Sequence, residues 1–283
     1  MTTLDEKDLI RSGISGRLKV RIYKDRRALG EAAAMDAARA IGEVIREKGW
    51  CSCIFAAAPS QNEFLEALTA QSVPEGVIDF TKVHAYHMDE YVGLDPDAPQ
   101  GFGNFLKRGI FDKVPFGRAE YLRGCDVKTE DSPSDRIAEA EIQRYSKLLR
   151  EDPADLVFMG IGENGHIAFN DPHVARFDDP ALVKMVELDE RCRMQQVHDG
   201  CFEGIEAVPT HALTLTVPAL VQAKKLFCMV PAATKAEAVE KTVLGEIREK
   251  VPATCLRMHS DAILYLDPDS GAKLLEAGFG KEV

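Results

Sequence analysis

The chain has 283 residues, 45% hydrophobic and 29% charged, a composition ordinary for a folded globular protein. Its length is about twice that of a typical domain of ~150 residues, which suits one large α/β domain or two small ones. A chain of this length buries enough surface to fold without disulfides or a structural metal ion. The 35 basic and 46 acidic residues give a net charge of −11. Such an acidic surface repels phosphate backbones and anionic lipids, which disfavours nucleic acids and membranes as partners.

The cysteine pattern and the N-terminus predict the compartment. The seven cysteines are scattered, and none forms a C-x-x-C pair. Cys51 and Cys53 lie in an apolar run, where strand alternation puts both thiols on one face to pack as small hydrophobic groups. Met1–Arg11 lacks the apolar core of a secretory signal, and no stretch nears 18 consecutive apolar residues. We therefore predict a reducing, cytoplasmic location and no membrane span.

Helical and extended patterns alternate along the chain. Apolar residues at three- and four-residue steps from Leu29 to Ile45 predict the first helix. Short apolar runs predict five strands, at Cys51–Ala58, Val83–Met88, Asp155–Ile161, Leu226–Val230 and Ala262–Leu266. Three further helices are predicted: one carrying Phe64, Leu65 and Leu68, which begins at the capping box Ser60-Gln61-Asn62-Glu63, and two at Ser134–Leu149 and Ala233–Val243.

The alternation of apolar strands with helices predicts the fold class. We expect an α/β protein of three-layer αβα type, with a mostly parallel, Rossmann-like sheet covered by helices on both faces. No linker rich in Gly, Pro or Ser interrupts residues 1–283, which are predicted to form a single domain. The stretch 171–200 is less periodic and is interpreted as a lid or an insertion.

Ligands of an open parallel sheet bind beyond the carboxyl ends of its strands, which directs attention to three junctions. These are Ala56–Asn62, His87–Gly93 and Gly160–Pro172. At the third, glycines permit positive φ and close approach of a ligand to the backbone. His166 lies there as a candidate general acid/base, with Asn164 and Asp171 placed to orient its ring. A loop histidine surrounded by capping residues is the alternative.

At the second junction, the acidic pair Asp89 and Glu90 follows a strand directly. Adjacent acids at such a place fit the N-terminus of a helix. They also fit a general base whose pKa is raised by burial, able to remove a proton from a carbon next to a carbonyl.

Two motifs carry a family resemblance, MDEYVGL at Met88–Leu94 and GIGENGHIAFNDP at Gly160–Pro172. Together they resemble the glucosamine-6-phosphate deaminase (isomerase) family, which shares its fold with 6-phosphogluconolactonases. The resemblance runs from about residue 20 to residue 267. It implies aldose–ketose isomerisation with loss of ammonia, which turns glucosamine 6-phosphate into fructose 6-phosphate. It implies no metal ion or other cofactor, because an enediol route needs only a base, an acid and positioned donors.

The resemblance also implies roles for individual residues. Asp89 shuttles a proton between C2 and C1, and His166 moves a proton at the ring oxygen. Asn164 and Asp171 orient and tune His166, although many family members carry Asp at the first position and Glu at the second. Backbone N–H groups at the turn, around Gly162 and Gly165, face the oxygens of the intermediate.

The phosphate-binding part departs further from the family pattern. In the family, the phosphate-binding loop is usually rich in Gly and Thr. In this chain Ser60 and Gln61 are the candidate phosphate ligands, at a helix N-terminus that also has the negative charge of Glu63 nearby. The family's phosphate-binding arginine falls on His198 in a gap-free count, and Arg193 is the other candidate. The family's phosphate-binding lysine matches Lys235.

These features predict a small phosphorylated amino sugar as the partner. A lactone hydrolase of the 6-phosphogluconolactonase type and a non-catalytic sugar-phosphate sensor are the alternatives. Family members differ in assembly, so a homo-oligomer is one arrangement the resemblance allows. The histidines have no metal-ligand spacing, and His87 is expected to line the pocket beside Asp89.

Overall fold

The computed structural model describes residues 8–124 and 133–283; Cys125 and residues 1–7 of the predicted N-terminal segment lie outside them. The strands are β1 (Leu9–Ser15), β2 (Leu18–Tyr23), β3 (Cys51–Phe55), β4 (Val83–His87), β5 (Asp89–Tyr91), β6 (Arg118–Glu120), β7 (Leu156–Met159), β8 (Val183–Glu187), β9 (His211–Leu215), β10 (Lys225–Val230), β11 (Ala262–Leu266) and β12 (Lys281–Glu282). The α-helices are α1 (Arg26–Lys48), α2 (Asn62–Thr69), α3 (Phe102–Leu106), α4 (Pro133–Glu151), α5 (Glu190–His198), α6 (Val217–Val221), α7 (Ala236–Leu244) and α8 (Ala272–Glu276).

The described strands form a large sheet in the order β12-β1-β2-β11-β10-β7-β3-β4-β6. Every pairing from β2 to β6 is parallel, whereas β1 runs antiparallel to both of its neighbours. The predicted mostly parallel α/β fold is confirmed.

Strand alternation builds the layers. In β3, Cys51, Cys53 and Phe55 pack into one apolar cluster together with the alanine-rich face of α1, while Ile54 packs into the cluster on the opposite face. Both thiols are buried and lie 3.5 Å apart, which confirms the packing predicted for this pair. Helices α4, α7 and α8 contribute buried residues to the second cluster, so both faces of the sheet are covered.

A second, antiparallel sheet was not predicted. It has the order β5-β9-β8, and β8 together with α5 occupies much of the segment interpreted as a lid or insertion. Only Met88 separates β4 of the large sheet from β5 of the small one. The chain therefore passes directly from one sheet to the other at the MDEY motif.

The carboxyl ends of β3 and β7 create the crevice. These strands are neighbours, yet the next parallel strand after β3 is β4 on one side, and the next after β7 is β10 on the other. Such a reversal separates the two following loops and opens a ligand-sized gap between them. No helix of the described residues is long and apolar enough to cross a membrane.

Candidate active site

A cleft of about 520 Å³, open to solvent, lies at this reversal point. Its walls come from the loops after β3, β7 and β10, from the start of β5, and from α3 and α5. Six of the predicted site residues line it: Ser60, Gln61, Asp89, Gly162, His166 and Lys235. The three junctions chosen from the sequence therefore meet in one place.

Asp89 is the acid that faces the cleft. It is 6% exposed and lies beside apolar lining residues that include Met88 and Phe102. Burial, with a smaller contribution from the charge of Glu90, raises the pKa of Asp89 well above its ordinary value. A carboxylate in such surroundings is a stronger base than one in water, because losing its charge relieves the cost of burial.

Glu90 has a different environment and a different task. Its carboxylate accepts hydrogen bonds from the backbone N–H groups of Phe102 (3.0 Å) and Gly103 (2.8 Å) at the start of α3. Burial alone would raise the pKa of Glu90, but His87 and these N–H groups outweigh it and lower the pKa. Glu90 thus holds the start of α3 in place, with Phe102 at the cleft. The acidic pair itself lies in β5 and does not begin a helix, contrary to the first interpretation.

His87 does not line the cleft, contrary to the sequence-based prediction. Its side chain is fully buried, with Nε2 3.5 Å from Glu90 Oε2, and Nδ1 accepts a hydrogen bond from the backbone of Leu122. Because His87 and Asp89 belong to different sheets, the alternation of β4 does not carry over to β5.

The turn after β7 presents His166 to the cleft. The ring is 7% exposed, and its Nδ1 lies 3.0 Å from Asp171 Oδ1, outside ideal hydrogen-bond alignment. Gly162 is required by close approach, since a Cβ at that position would lie 2.2 Å from the His166 ring. Gly165 adopts a φ of +88° and packs against Val251 instead of lining the cleft.

Asp171 is fully buried and keeps its negative charge. Burial would raise its pKa, but His166 and the amide of Asn164 outweigh burial and lower it. The anionic form is therefore favoured, and it is the form that orients a histidine ring and stabilises an imidazolium. The shorter side chain of Asp in place of Glu still brings its oxygen to His166.

Asn164 bridges two carboxylates, and none of its side-chain hydrogen bonds goes to the His166 ring. Its Nδ2 donates to Asp171 Oδ1 and to Asp189 Oδ2, both at 2.9 Å, and its Oδ1 accepts from the backbone N–H of His166 at 3.0 Å. Asp189 is in turn the N-cap of α5, accepting from the backbone of Cys192 at 2.7 Å. The amide thereby joins the histidine turn to the helix that covers the cleft.

Lys235 supplies a positive charge at another wall. It lies just before α7, is 3% exposed, and its ammonium has no hydrogen-bond partner within the described residues. Burial lowers the pKa of Lys235, opposed by the charges of Asp199 and Glu163. A buried cation without a partner is costly, and an anion entering the cleft removes that cost.

Comparison with known proteins now identifies the family. The model of "Glucosamine-6-phosphate isomerases/6-phosphogluconolactonase" matches residues 24–265. A glucosamine-6-phosphate deaminase of Streptococcus pneumoniae serotype 4 is 35% identical over 200 residues, 71% of this chain and 80% of its own length. The chain belongs to this family.

Solved structures support the same relationship. A monomeric glucosamine-6-phosphate deaminase superposes with a TM-score of 0.77 at 27% identity, covering 89% of this chain and 98% of that one. A 6-phosphogluconolactonase from Trypanosoma brucei superposes with a TM-score of 0.73 at 15% identity, covering 90% of this chain and 98% of that one. The second likeness shows the shared fold.

The loop after β3 differs from the sequence-based prediction. The predicted capping box is wrong: Pro59–Gln61 forms a 3₁₀ turn, α2 begins at Asn62, and no side chain caps it. Glu63 instead pairs with Arg26 at 2.5 Å, and Arg26 also donates to the Pro59 carbonyl at 2.6 Å. Arg26 therefore neutralises the charge that was expected to oppose phosphate at this helix.

The two candidates for the family's arginine lie elsewhere. Arg193 donates to the carbonyls of Ile205 (2.7 Å) and Val208 (3.0 Å), and His198 is exposed, 3.3 Å from Glu163. Neither side chain lines the cleft. A count without gaps does not reveal which face of α5 points inward, because a helix turns 100° with each residue.

Sequence reasoning missed the residues that α5 does bring to the cleft, Gln195 and Gln196. Each is 6% exposed. Two adjacent polar residues in a mostly polar helix look like a solvated face, and only the docking of α5 onto the cleft identifies them. The apolar wall formed by Phe102 and Phe169, whose ring centroids lie 5.5 Å apart, was also missed, because it too depends on how distant segments dock at the cleft.

Among residues 8–124 and 133–283, two groups of side chains have ligand atoms within 4.8 Å of one another and could hold a cation. They are His166 with Asp171 and Cys192, and Asp171 with His173 and Asp189. Asp171 belongs to both groups, and His166 and Asn164 already neighbour its oxygens. The positioning of His166 accounts for this arrangement, and we retain the expectation that no metal ion takes part.

Proposed function

We propose that this chain converts an amino-sugar 6-phosphate into a ketose phosphate and ammonia, with glucosamine 6-phosphate plus water giving fructose 6-phosphate plus ammonia. The observation that carries this proposal is the meeting of Asp89, His166 and Lys235 in one cleft. An acid of raised pKa, a histidine oriented by a carboxylate and a buried cation are the parts that an enediol route on an anionic sugar needs. The relationship to glucosamine-6-phosphate deaminases supports the same reaction.

His166 opens the sugar ring in this mechanism. It delivers a proton to the ring oxygen as the C1–O bond breaks, and the C1 hydroxyl gives its proton to water, which leaves an open-chain aldehyde. Asp171 orients the ring of His166 and stabilises its protonated form, while Asn164 holds the turn through the His166 backbone.

Asp89 then moves a proton between neighbouring carbons. It removes the proton from C2 while the aldehyde oxygen takes up a proton from water, giving an enolamine. Asp89 then delivers its proton to C1, giving a C2 iminium with a hydroxyl group on C1. Water attacks C2, and ammonia leaves as the ketone forms. Apolar lining residues such as Met88 and Phe102 lie beside Asp89, and its burial keeps it basic.

The cleft also has a direction. Lys235 follows β10 and Asp89 follows β4, and β7 and β3 lie between these strands. At ~4.8 Å per strand spacing, the two ends are separated by roughly 14 Å at the level of the sheet. A sugar phosphate lying across the crevice would place its phosphate near Lys235 and Ser60 and its C1–C2 end near Asp89.

The test is release of ammonia and ketose phosphate from glucosamine 6-phosphate and galactosamine 6-phosphate. Wild type should release both products, and Asp89→Asn should release neither while remaining folded. Asp97→Asn, an acid-to-amide change on an exposed loop, is the matched control and should behave as wild type. A folded wild type that acts on neither sugar would refute the proposal.

Two further assays on the same proteins, lactone hydrolysis and sugar-phosphate binding, separate the alternatives. A lactone hydrolase would release acid from 6-phosphogluconolactone without forming ammonia, and a sensor would bind the sugar phosphate without consuming it. The homo-oligomer and the cytoplasmic location stay predictions, and one related deaminase is described as monomeric.

A further inference from the structure

Helix α5 places two glutamines in the cleft, and their surroundings differ. Gln195 has two partners: its Oε1 accepts from the backbone N–H of Glu163 at 2.8 Å, and its Nε2 is 3.3 Å from Asp199 Oδ2. Gln195 therefore fastens α5 to the histidine turn, and both ends of its amide already have a protein partner.

Gln196 is equally buried, but no residue that the structure describes hydrogen-bonds its amide. The Gln196 amide is not enclosed by protein, because Gln196 lines the cleft and its polar atoms are not among the fully buried ones without a partner. A ligand in the cleft can therefore hydrogen-bond this amide without displacing any protein group.

The neighbouring charge indicates which part of a ligand Gln196 meets. Of the described residues that line the cleft, Lys235 is the one lysine or arginine. The acidic groups that act on Lys235 are Asp199, at the end of α5, and Glu163, whose backbone binds Gln195. An ion pair at 3.1 Å between Arg191 and Glu237 also joins α5 to α7. Lys235 and the cleft side of α5 thus share one wall.

We infer that Gln196 is a specificity-determining residue that donates its amide N–H to the phosphate held by Lys235, so that one ammonium and one neutral amide bind this group. The inference rests on the proposed function, because it assumes that the anionic end of the substrate is a phosphate. The cleft then compensates a dianionic phosphate with a single side-chain cation.

The decisive variants keep the size of the side chain and change its hydrogen bonding or charge. Gln196→Met removes the amide and should raise KM for glucosamine 6-phosphate and Kd for inorganic phosphate about fivefold, the effect of one neutral hydrogen bond. Gln196→Glu should raise both at least about tenfold more, because two negative groups then face each other. In both variants kcat should change less than about twofold.

The matched control is Gln222→Glu, which adds the same charge to an exposed glutamine whose amide binds the carbonyl of Ala219. It should leave KM and phosphate binding unchanged. Melting temperature reports folding of every variant, and Gln196→Met keeps the test decisive even where Gln196→Glu fails to fold.

Calorimetry with inorganic phosphate separates this inference from the proposed function, because it needs no turnover. Phosphate binding that weakens in both Gln196 variants supports the role of Gln196, even where wild type converts no amino sugar. Wild-type binding in Gln196→Met, an equal loss in kcat and in kcat/KM, or no phosphate binding by wild type would overturn it.

Discussion

Replacing Asn164 by Asp should destabilise the protein in a pH-dependent way. The Asn164 amide donates to the carboxylates of Asp171 and Asp189 at 2.9 Å each, so Asn164→Asp loses both donors and places a third carboxyl group between two others. Asn164→Ala loses the same donors without adding charge. The comparison isolates the effect of charge at a position where many family members carry Asp.

The magnitude follows from the alternatives open to the new carboxyl group. Either it stays ionised against two neighbours, or it takes up a proton at a cost of about 1.4 kcal/mol per pH unit above ~3.9. The cost of protonation is the upper limit of the charge penalty, about 4 kcal/mol at pH 7 and about 1.5 kcal/mol at pH 5. The two lost hydrogen bonds, shared by both variants, contribute about 2–3 kcal/mol because Asn164 is partly open to water.

The sign follows from linkage. A carboxyl group whose pKa is raised in the folded state binds more protons folded than unfolded, so its penalty grows as pH rises above the unfolded pKa and disappears below it. Urea unfolding at pH 5, 6 and 7 should show the gap between Asn164→Asp and Asn164→Ala widening by up to about 2.5 kcal/mol. A gap that is absent, or constant across this range, would refute the account of Asn164 as a neutral bridge.

Three further predictions test other parts of the site and fold. Gly162→Ala should displace the His166 ring, because the added Cβ would lie 2.2 Å from it, and lower kcat by about 100-fold or more; unchanged kinetics would contradict this. Lys235→Met should keep or raise the free energy of unfolding at pH 7 but abolish phosphate binding. The pKa of Lys235 is lowered in the folded state, so its charge destabilises the wild type less as pH rises toward 10.5. The free energy of unfolding of wild type should therefore rise over that range relative to Lys235→Met. The pKa of Asp152 is lowered to about 2, because hydrogen bonds from Ser52 and His84 outweigh burial. Asp152 should therefore contribute about 1–2 kcal/mol to the free energy of unfolding, a contribution that is lost as pH falls from about 4 to 2. Acid unfolding of Asp152→Asn should lack that loss.

The sequence was most informative where local pattern and tertiary position coincide. Buried parallel strands appear as short apolar runs, so the large sheet and the junctions at its carboxyl ends could be predicted. The acidic pair Asp89-Glu90 and His166 follow from those junctions, because the ends of parallel strands share one edge. The first of the two acids could not be told from the second, since one faces the cleft and the other binds the backbone of α3.

Features set by docking could not be predicted. Strand β8 has only five residues and no regular alternation of buried and exposed positions, and its partner β9 is distant in sequence. The inward face of α5 depends on its rotation over the cleft, so Arg193 was a candidate while Gln196 was not. The pairing of Glu63 with Arg26 joins two helices across 37 positions and competes with the local capping box.

The junction of the two sheets at Met88 has an evolutionary consequence. Asp89 is anchored in β5 by pairing with Thr214 of β9, and Met88 is bound to the strands on either side of it, at Phe55 and Leu215. Asp89 is thus part of the rigid framework, whereas the wall that α5 forms is a single nine-residue helix. Substitutions on that helix can change the ligand that the cleft accepts while Asp89 keeps its place, which suits this architecture to diversification by gene duplication.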